Sequence, residues 1–187
     1  MAVLVVTAPE SLVSLDEAKA HLRVTDNDEN DLIEGYIAAA CAWIDGPWGW
    51  LGQCIGKHVL EVRSNVFSGF SRLPLGPVQR IVSVQYVGGD GVERTLDDGD
   101  FVLGDDALHR APGFTWPELR GEANGVRVQY EAGFEEVPKP VKQAVLLLVG
   151  QWFRNRMAVS TTGVNSNLSE VPNGVKALLG PYWIRRI

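Results

Sequence analysis

The first fifty residues show the apolar spacing of two amphipathic helices. Ser14 and Glu17 stand three positions apart, as in a capping box, and apolar residues recur at spacings of three and four over 15–22. From 32 to 44, apolar residues recur as adjacent pairs every four positions, which is typical of a helix with one buried face. Gly46 and the proline after it stop this pattern. We therefore predict a short helix and then a longer one.

The pattern changes after Trp50, where β-branched and polar residues alternate in short runs. These runs are 58–67, 79–87, 92–96, 100–104 and 125–133. Turn residues separate the runs, and Gly88 to Gly91 suits a tight hairpin because glycine adopts positive φ without strain. We therefore predict an antiparallel β unit over 53–132.

A third helical pattern occupies 138–156 and contains six consecutive apolar residues at 144–149. Such a helix has almost no face for water, so either the chain's own core or another copy of the chain must cover its far side. Residues 157–174 are polar and predict a loop. A short helix follows, and then a basic, aromatic tail at 182–187, which is either a frayed end or a contact surface.

Together these patterns predict an α+β fold. The N- and C-terminal segments, 1–52 and 133–187, hold the predicted helices, and the antiparallel β unit lies between them. The 187 residues suffice for one domain, 1–187. The apolar start lacks the basic leader of a signal peptide, and the longest apolar run is too short to span a bilayer, so we expect no membrane association.

Charge narrows the function classes further. The net charge is -6, with acidic residues concentrated in 1–52 and basic ones in 133–187. An acidic chain argues against a dedicated DNA-binding protein, which needs clustered Lys and Arg to neutralise phosphates. The uneven distribution reflects either solvated faces or surfaces that meet oppositely charged neighbours.

The sequence contains no familiar catalytic or metal-binding pattern. The histidines stand at three separate positions, His21, His58 and His109. They show no zinc-ligand spacing. We interpret Cys41 and Cys54 as small buried thiols rather than a disulfide, and the aspartates of 97–100 and 105–106 as turn residues. We therefore expect no enzyme, no catalytic residue, no cofactor and no metal ion.

The order of these segments resembles that of the head-to-tail connector (adaptor) proteins of long-tailed bacteriophages and related gene transfer agents. Four stretches carry the likeness: "SLVSLDEAKAHLRVTDNDENDLIEGYIAAACAWID", "RLPLGPVQRIVSVQYVGGDGVERTL", "YEAGFEEVPKPVKQAVLLLVGQWFRNR" and "GVKALLGPYWI". Each is a pattern of packing and turns, and their order and spacing cover nearly the whole chain.

The resemblance implies a structural adaptor without catalysis. It also implies that the segments 1–52 and 133–187 form an α-helical bundle into which the antiparallel β unit is inserted. It implies a ring, dodecameric in the particle, that sits beneath the portal and joins the DNA-filled head to the neck or tail. The implied partners are other copies of the chain, the portal protein and the next neck or tail protein, while DNA passes through the channel without sequence-specific binding. The implied location is the neck of the virion, after synthesis in the bacterial cytoplasm.

The resemblance also suggests two contact surfaces, because the C-terminal segment of these proteins typically grips the portal and a ring needs contacts between copies. The expected portal-binding residues are Tyr182, Trp183, Ile184, Arg185, Arg186 and Ile187. The expected subunit-interface residues are Leu146, Leu147, Val149, Arg154 and Arg156. Tryptophan, tyrosine and arginine are the side chains most enriched at interface hot spots.

Two alternatives remain open at this point. The first is a tail-completion or stopper component, which differs from an adaptor in the neighbour that it captures. The second, of a different class, is a small hydrolase or binding module built on the β unit. A pocket that gathers His58 or His109 with carboxylates would favour the second.

Overall fold

The protein is α+β in the computed structural model, which describes residues 3–155 and 173–184. The helices are α1 (Leu15–Leu22), α2 (Asn30–Ile44), α3 (Lys139–Arg154) and α4 (Asn173–Leu179). The strands are β1 (Val3–Thr7), β2 (His58–Ser64), β3 (Val78–Val87), β4 (Glu93–Thr95), β5 (Phe101–Gly104), β6 (Ala107–Arg110) and β7 (Val126–Ala132). Among these residues, no helix has the length and apolar character that crossing a membrane requires.

The chain divides into two compact units. The β unit consists of Met1–Glu10 and Gln53–Glu135, and the helical unit consists of Ser11–Gly52 and Glu136–Ile187. The predicted β segment, 53–132, therefore forms the greater part of a unit of its own.

The β unit is built on a five-stranded sheet with the strand order β1-β2-β7-β3-β4, in which every pair is antiparallel. Strands β5 and β6 form a separate hairpin. Because side chains alternate along a strand, Val126, Val128 and Tyr130 of β7 point together into the core. The Tyr130 hydroxyl donates a hydrogen bond to the Pro74 carbonyl at 2.6 Å, which satisfies this buried polar group.

Strand β1 corrects the expectation that 1–52 belongs to the helical part. Val3 pairs with Val62 and Val5 with Leu60, so the N-terminal segment is an edge strand of the β unit. The sequence pattern concealed it because Val3 to Val6 are all apolar and show no alternation. Strand β6, which pairs with β5 in the separate hairpin, was also not predicted from the sequence.

The helical unit begins with the predicted capping box. The Ser14 hydroxyl accepts a hydrogen bond from the Glu17 amide at 3.2 Å, and the Glu17 carboxylate accepts one from the Ser14 amide at 2.9 Å. Two otherwise unpaired amides are thereby satisfied, and α1 covers the predicted residues 15–22. In α2 the buried residues form one stripe: Ile33, Ile37, Ala40 and Ile44.

Helix α3 packs against α1, α2 and α4. Its buried residues are Val141, Ala144, Val145, Leu148, Val149 and Gly150. Within the apolar run 144–149, only Leu146 and Leu147 keep partial exposure. The chain's own helices thus cover most of the run, and two adjacent leucines are left partly open.

Candidate interaction surfaces

Three indole rings stack in the helical unit. Trp50 lies between Trp43, at a centroid distance of 5.6 Å, and Trp183, at 6.0 Å. The planes of these two pairs are 9° and 12° from parallel. Such distances lie in the range of favourable aromatic pairs, which contribute about 0.5–1.5 kcal/mol beyond the apolar area that they bury.

The local fold after α2 brings the first two rings together. The chain leaves the helix after Ile44 and turns at Gly46, whose φ of 79° lies in the left-handed region that glycine favours. The Trp50 amide then donates to the Trp43 carbonyl at 2.7 Å, and the Leu51 amide donates to the Ile44 carbonyl at 3.2 Å. The turn therefore folds back on the last turn of α2.

The C-terminal segment meets the same turn. After α4, a short 3-10 turn at Gly180–Tyr182 leads to Trp183, whose amide donates to the Gly180 carbonyl at 3.2 Å. The Ile184 amide donates to the Leu51 carbonyl at 2.8 Å. A backbone hydrogen bond and an indole stack thus fix this segment up to Ile184.

Large apolar side chains of this turn and of the C-terminal segment are exposed to solvent. Trp50 is 36% exposed, Trp183 49% and Ile184 42%, while Trp48, in the same turn as Trp50, is 91% exposed. We call Trp48, Trp50, Trp183 and Ile184 the indole patch. Exposed apolar patches on folded proteins commonly mark interaction sites.

The structure describes half of the expected portal-binding residues. Tyr182 is half-buried, and Trp183 and Ile184 are exposed. Arg185, Arg186 and Ile187 lie outside the described residues. Sequence analysis did not single out the exposed residues Trp48 and Trp50, although two tryptophans directly after a helix-ending Gly-Pro were an available signal.

The expected subunit interface changes at one position. Val149 is 0% exposed, so its side chain is packed within the chain and offers no surface to a neighbour. We therefore remove it from the interface. Leu146 and Leu147 are partly exposed, and Arg154 is exposed with its Nε donating to the Gly150 carbonyl at 3.1 Å. Arg156 lies outside the described residues.

The face of the five-stranded sheet opposite the buried side chains of β7 is polar and carries paired charges. Three ion pairs lie on it, Arg63 with Glu61 at 2.7 Å, Arg80 with Glu131 at 2.9 Å and Arg127 with Glu93 at 2.9 Å. Burial pushes the pKa of Glu61 upward, but the hydrogen bond from Gln129 and the pairing with Arg63 outweigh it and hold the pKa below its ordinary value. Since these arginines already have carboxylate partners, this face is not a free basic patch for phosphates.

Asp105 and Asp106 have the turn role that the sequence predicted. Both adopt left-handed backbone, with φ of 52° and 57°, in the β5–β6 turn. The Asp106 carboxylate accepts a hydrogen bond from the Val78 amide at 2.7 Å, and its carbonyl accepts one from the Leu73 amide at 2.7 Å. Asp106 therefore holds the connection that leads into β3.

The histidines and cysteines have local contacts of their own. His58 Nδ1 donates to the Gly56 carbonyl at 2.9 Å, and His109 Nε2 donates to the Gly104 carbonyl at 3.1 Å. Cys41 and Cys54 are free thiols, as interpreted from the sequence, and burial raises the pKa of Cys41.

Comparison with known proteins bears on these surfaces. Residues 12–80 match the model of the family described as "Phage gp6-like head-tail connector protein". The chain resembles head-tail connectors. This match confirms the resemblance predicted from the sequence, and it spans α1, α2 and the first part of the β unit. No curated protein matches the chain.

Solved structures extend the likeness to the full fold. A chain in the virion of a native gene transfer agent particle is 24% identical with a TM-score of 0.71. A chain in the neck of an empty particle, computed with C6 symmetry, is 23% identical with a TM-score of 0.69. A third, in the neck of a native particle computed with C12 symmetry, is 22% identical with a TM-score of 0.64. Each match covers 100% of this chain and 97% of the other, and establishes a shared fold.

Proposed function

We propose that this protein is a structural adaptor that joins the DNA-filled head to the neck or tail of a phage or phage-like particle. One observation carries the proposal: the fold of a gene transfer agent neck chain extends over 100% of this chain. A fold by itself does not define a function. Here the independent connector-family match over residues 12–80 supports the same function.

In this proposal the adaptor works as a ring, and α1 to α4 form its helical bundle. The similar neck chains come from structures computed with C6 and C12 symmetry. In a cyclic ring each copy meets its two neighbours through two different surfaces. Leu146, Leu147 and Arg154 are candidates for one of them, because among the described residues they are the exposed or partly exposed members of the expected interface.

The partners follow from the same proposal. The portal lies on one side of the ring and the next neck or tail protein on the other, so the protein resides in the virion neck and performs no catalysis. DNA passes through the channel without being bound in a sequence-specific way. The net charge of -6 and the paired arginines of the sheet support a conduit that does not retain phosphates.

Electron microscopy of the protein mixed with the purified portal ring of the same particle tests the adaptor function. We expect an added ring of density on the tail-facing side of the portal, with the rotational order of the portal. Density that forms only with a tail protein, and not with the portal, would instead identify a tail-completion or stopper component.

Substitutions on α3 test the subunit interface in the same experiment. Leu147→Glu places a charge in a partly exposed apolar contact and should prevent ring closure, because burial of an unpaired charge is unfavourable. Gln143→Glu, one turn earlier at an exposed position, is the matched control. Rings of normal yield from Leu147→Glu would exclude this interface, provided that circular dichroism shows both variants folded.

A further inference from the structure

We propose that strand β1 is a docking edge for a second copy of this chain, and that two free copies pair β1 to β1 in antiparallel orientation. β1 lies at one edge of the five-stranded sheet, and within the described residues its backbone pairs with β2 alone. An edge strand leaves the N–H and C=O groups of alternate residues directed away from the sheet. Pairing of two such edges joins the sheets of both copies into one.

The core of the β unit is open beside this strand. Val5 pairs with Leu60, a fully buried core residue, so the Val5 side chain lies on the core face of the sheet. Val5 is nevertheless 44% exposed, since the sheet as described ends at β1. On the opposite face, Leu4 is 46% exposed beside Glu61. A further strand at this edge would cover both apolar side chains.

The chemistry of β1 defines the strand that fits it. Residues Val3–Thr7 carry no charge, and the first four of them are apolar. Apolar and β-branched side chains pair favourably across neighbouring strands, so the occupant is itself an uncharged, apolar strand. A second β1 has this character. A two-fold axis perpendicular to the sheet also places the core faces of both copies on the same side, so that their two open edges cover each other.

A β-bulge determines where the two strands pair. The register shifts between Val5 and Thr7, so Val6 is an extra residue and the regular part of β1 is Val3–Val5. Leu4 is the centre of this regular part. A two-fold axis there sets Leu4 opposite Leu4 of the second copy, and Val3 opposite Val5 of the second copy.

The other edge of the sheet is a poorer match for β1. Strand β4 consists of Glu93–Thr95, and all of its side chains are exposed. Glu93 is paired with Arg127, and Arg94 is paired with Asp90. Short, charged edge strands resist pairing with further strands. A β1–β4 contact would set these charges against apolar residues, so the β1–β1 pair is favoured, and a two-fold pair closes after two copies.

The short ladder makes this dimer weak. The contact between two regular segments, Val3–Val5, buries less than the total of about 1,200 Å² that is typical of a stable complex. We therefore expect reversible pairing that shields the edge of the free protein from non-specific strand addition. A two-fold contact cannot be repeated around a cyclic ring, so the dimer is distinct from the ring of the proposed function.

Analytical ultracentrifugation of the full chain tests the pairing. The wild-type protein should shift from monomer towards dimer between about 1 μM and 1 mM. Leu4→Lys sets like charges opposite each other and should weaken dimerisation by about tenfold or more, while Glu61 beside it keeps the lysine compatible with the fold. Val66→Lys, at a 49% exposed apolar position outside the strands, is the matched control and should dimerise normally. Circular dichroism verifies that both variants fold.

Disulfide trapping tests the symmetry of the contact. Leu4→Cys should give a covalent dimer under mild oxidation, because the two-fold axis sets the two introduced thiols opposite each other. Val66→Cys should remain monomeric, and the wild-type protein controls for the native thiols Cys41 and Cys54. A double variant, Leu4→Cys with Thr95→Cys, detects head-to-tail pairing of β1 with β4, which would link copies into longer covalent chains.

The outcomes decide between the possible occupants of this edge. A wild-type protein that stays monomeric at about 1 mM overturns the inference and leaves the edge to a strand of a different protein. Equal dimerisation of Leu4→Lys and the wild-type protein also overturns it. Long covalent chains from the double variant, with no dimer from Leu4→Cys alone, overturn it in favour of head-to-tail pairing. Portal binding by Leu4→Lys, measured separately, leaves the adaptor function standing in each case.

Discussion

Trp50 and Trp183 stack nearly parallel in the helical unit, with ring centroids 6.0 Å apart and planes 12° from parallel. The turn after α2 thereby holds a residue that lies near the other end of the sequence. Sequence analysis left open whether the aromatic tail is a frayed end. Up to Ile184 the tail is a packed part of the helical unit. The contacts of Trp183 and Ile184 with the turn after α2 show this packing, and the amino-acid composition of the tail does not indicate it.

The central position of Trp50 leads to the first prediction. Trp50→Ala removes two aromatic pairs, about 1–3 kcal/mol, and Trp183→Ala removes one, about 0.5–1.5 kcal/mol. Each variant also loses buried apolar area, so both should lower the free energy of unfolding by more than these amounts, and Trp50→Ala by more than Trp183→Ala. Urea unfolding followed by far-UV circular dichroism measures both values. Equal losses for the two variants would contradict the stacked order of the rings.

Asp106 provides the second prediction. Asp106→Ala leaves the Val78 amide without its carboxylate acceptor and places alanine at a φ of 57°, so it should destabilise the protein by about 1–3 kcal/mol. Asp106→Asn is the matched control, because asparagine keeps a side-chain acceptor and tolerates left-handed backbone. It should cost less than the alanine variant in thermal unfolding. A loss in the asparagine variant as large as that in the alanine variant would show that the carboxylate charge, which both variants lack, matters more than the turn.

The features that the sequence predicted well depend on contacts between near neighbours. The capping box of Ser14 and Glu17 lies within one helical turn, so its residue types alone define the start of α1. The β3–β4 hairpin was predicted for the same reason. Of the glycines expected to adopt positive φ between 88 and 91, Gly91 does so, at 82°.

The features that the sequence did not predict depend on distant partners. Residues Val3–Thr7 form strand β1 because they pair with β2 at the edge of the sheet, and nothing within these five residues indicates that pairing. The stack of Trp50 on Trp183 depends on the position that α4 and the turn after it give to the C-terminal tail. In the same way, the residues 144–149 of α3 are all apolar and show no periodicity. The sequence therefore could not distinguish the buried Val149 from Leu146 and Leu147, which are partly exposed.

Gly133 provides the third prediction. Its φ is 126°, and a Cβ at this position would collide with the Gly56 carbonyl oxygen, so the β unit requires glycine there. Gly133→Ala should lower the free energy of unfolding by about 2 kcal/mol or more, because backbone strain of this kind alone costs about 1–3 kcal/mol.

Gly35 on α2 is the control for that substitution. A Cβ added to Gly35 meets no atom within 4 Å, and the residue lies in a helix, where alanine is favoured over glycine by about 0.5–1 kcal/mol. Gly35→Ala should therefore raise the midpoint of urea unfolding, and Gly133→Ala should lower it. Two shifts of the same sign would contradict the close approach at Gly133.

The link between Glu17 and Lys142 gives the last prediction, which concerns pH. The hydrogen bond from the Ser14 amide, and after it the contact with Lys142 at 3.0 Å, hold the pKa of Glu17 below its ordinary value of 4.5. A carboxyl group with a lowered folded pKa stabilises the protein above the unfolded pKa, and this stability is lost as the pH falls through the folded value. Glu17→Gln should thus cost about 0.5–1 kcal/mol at pH 7, because the pair is partly exposed and screened. Unfolding measured from pH 7 downward should show the two proteins converging below pH 4.5. A difference that persists unchanged in acid would mean that the Glu17 charge has no part in stabilising the helical unit.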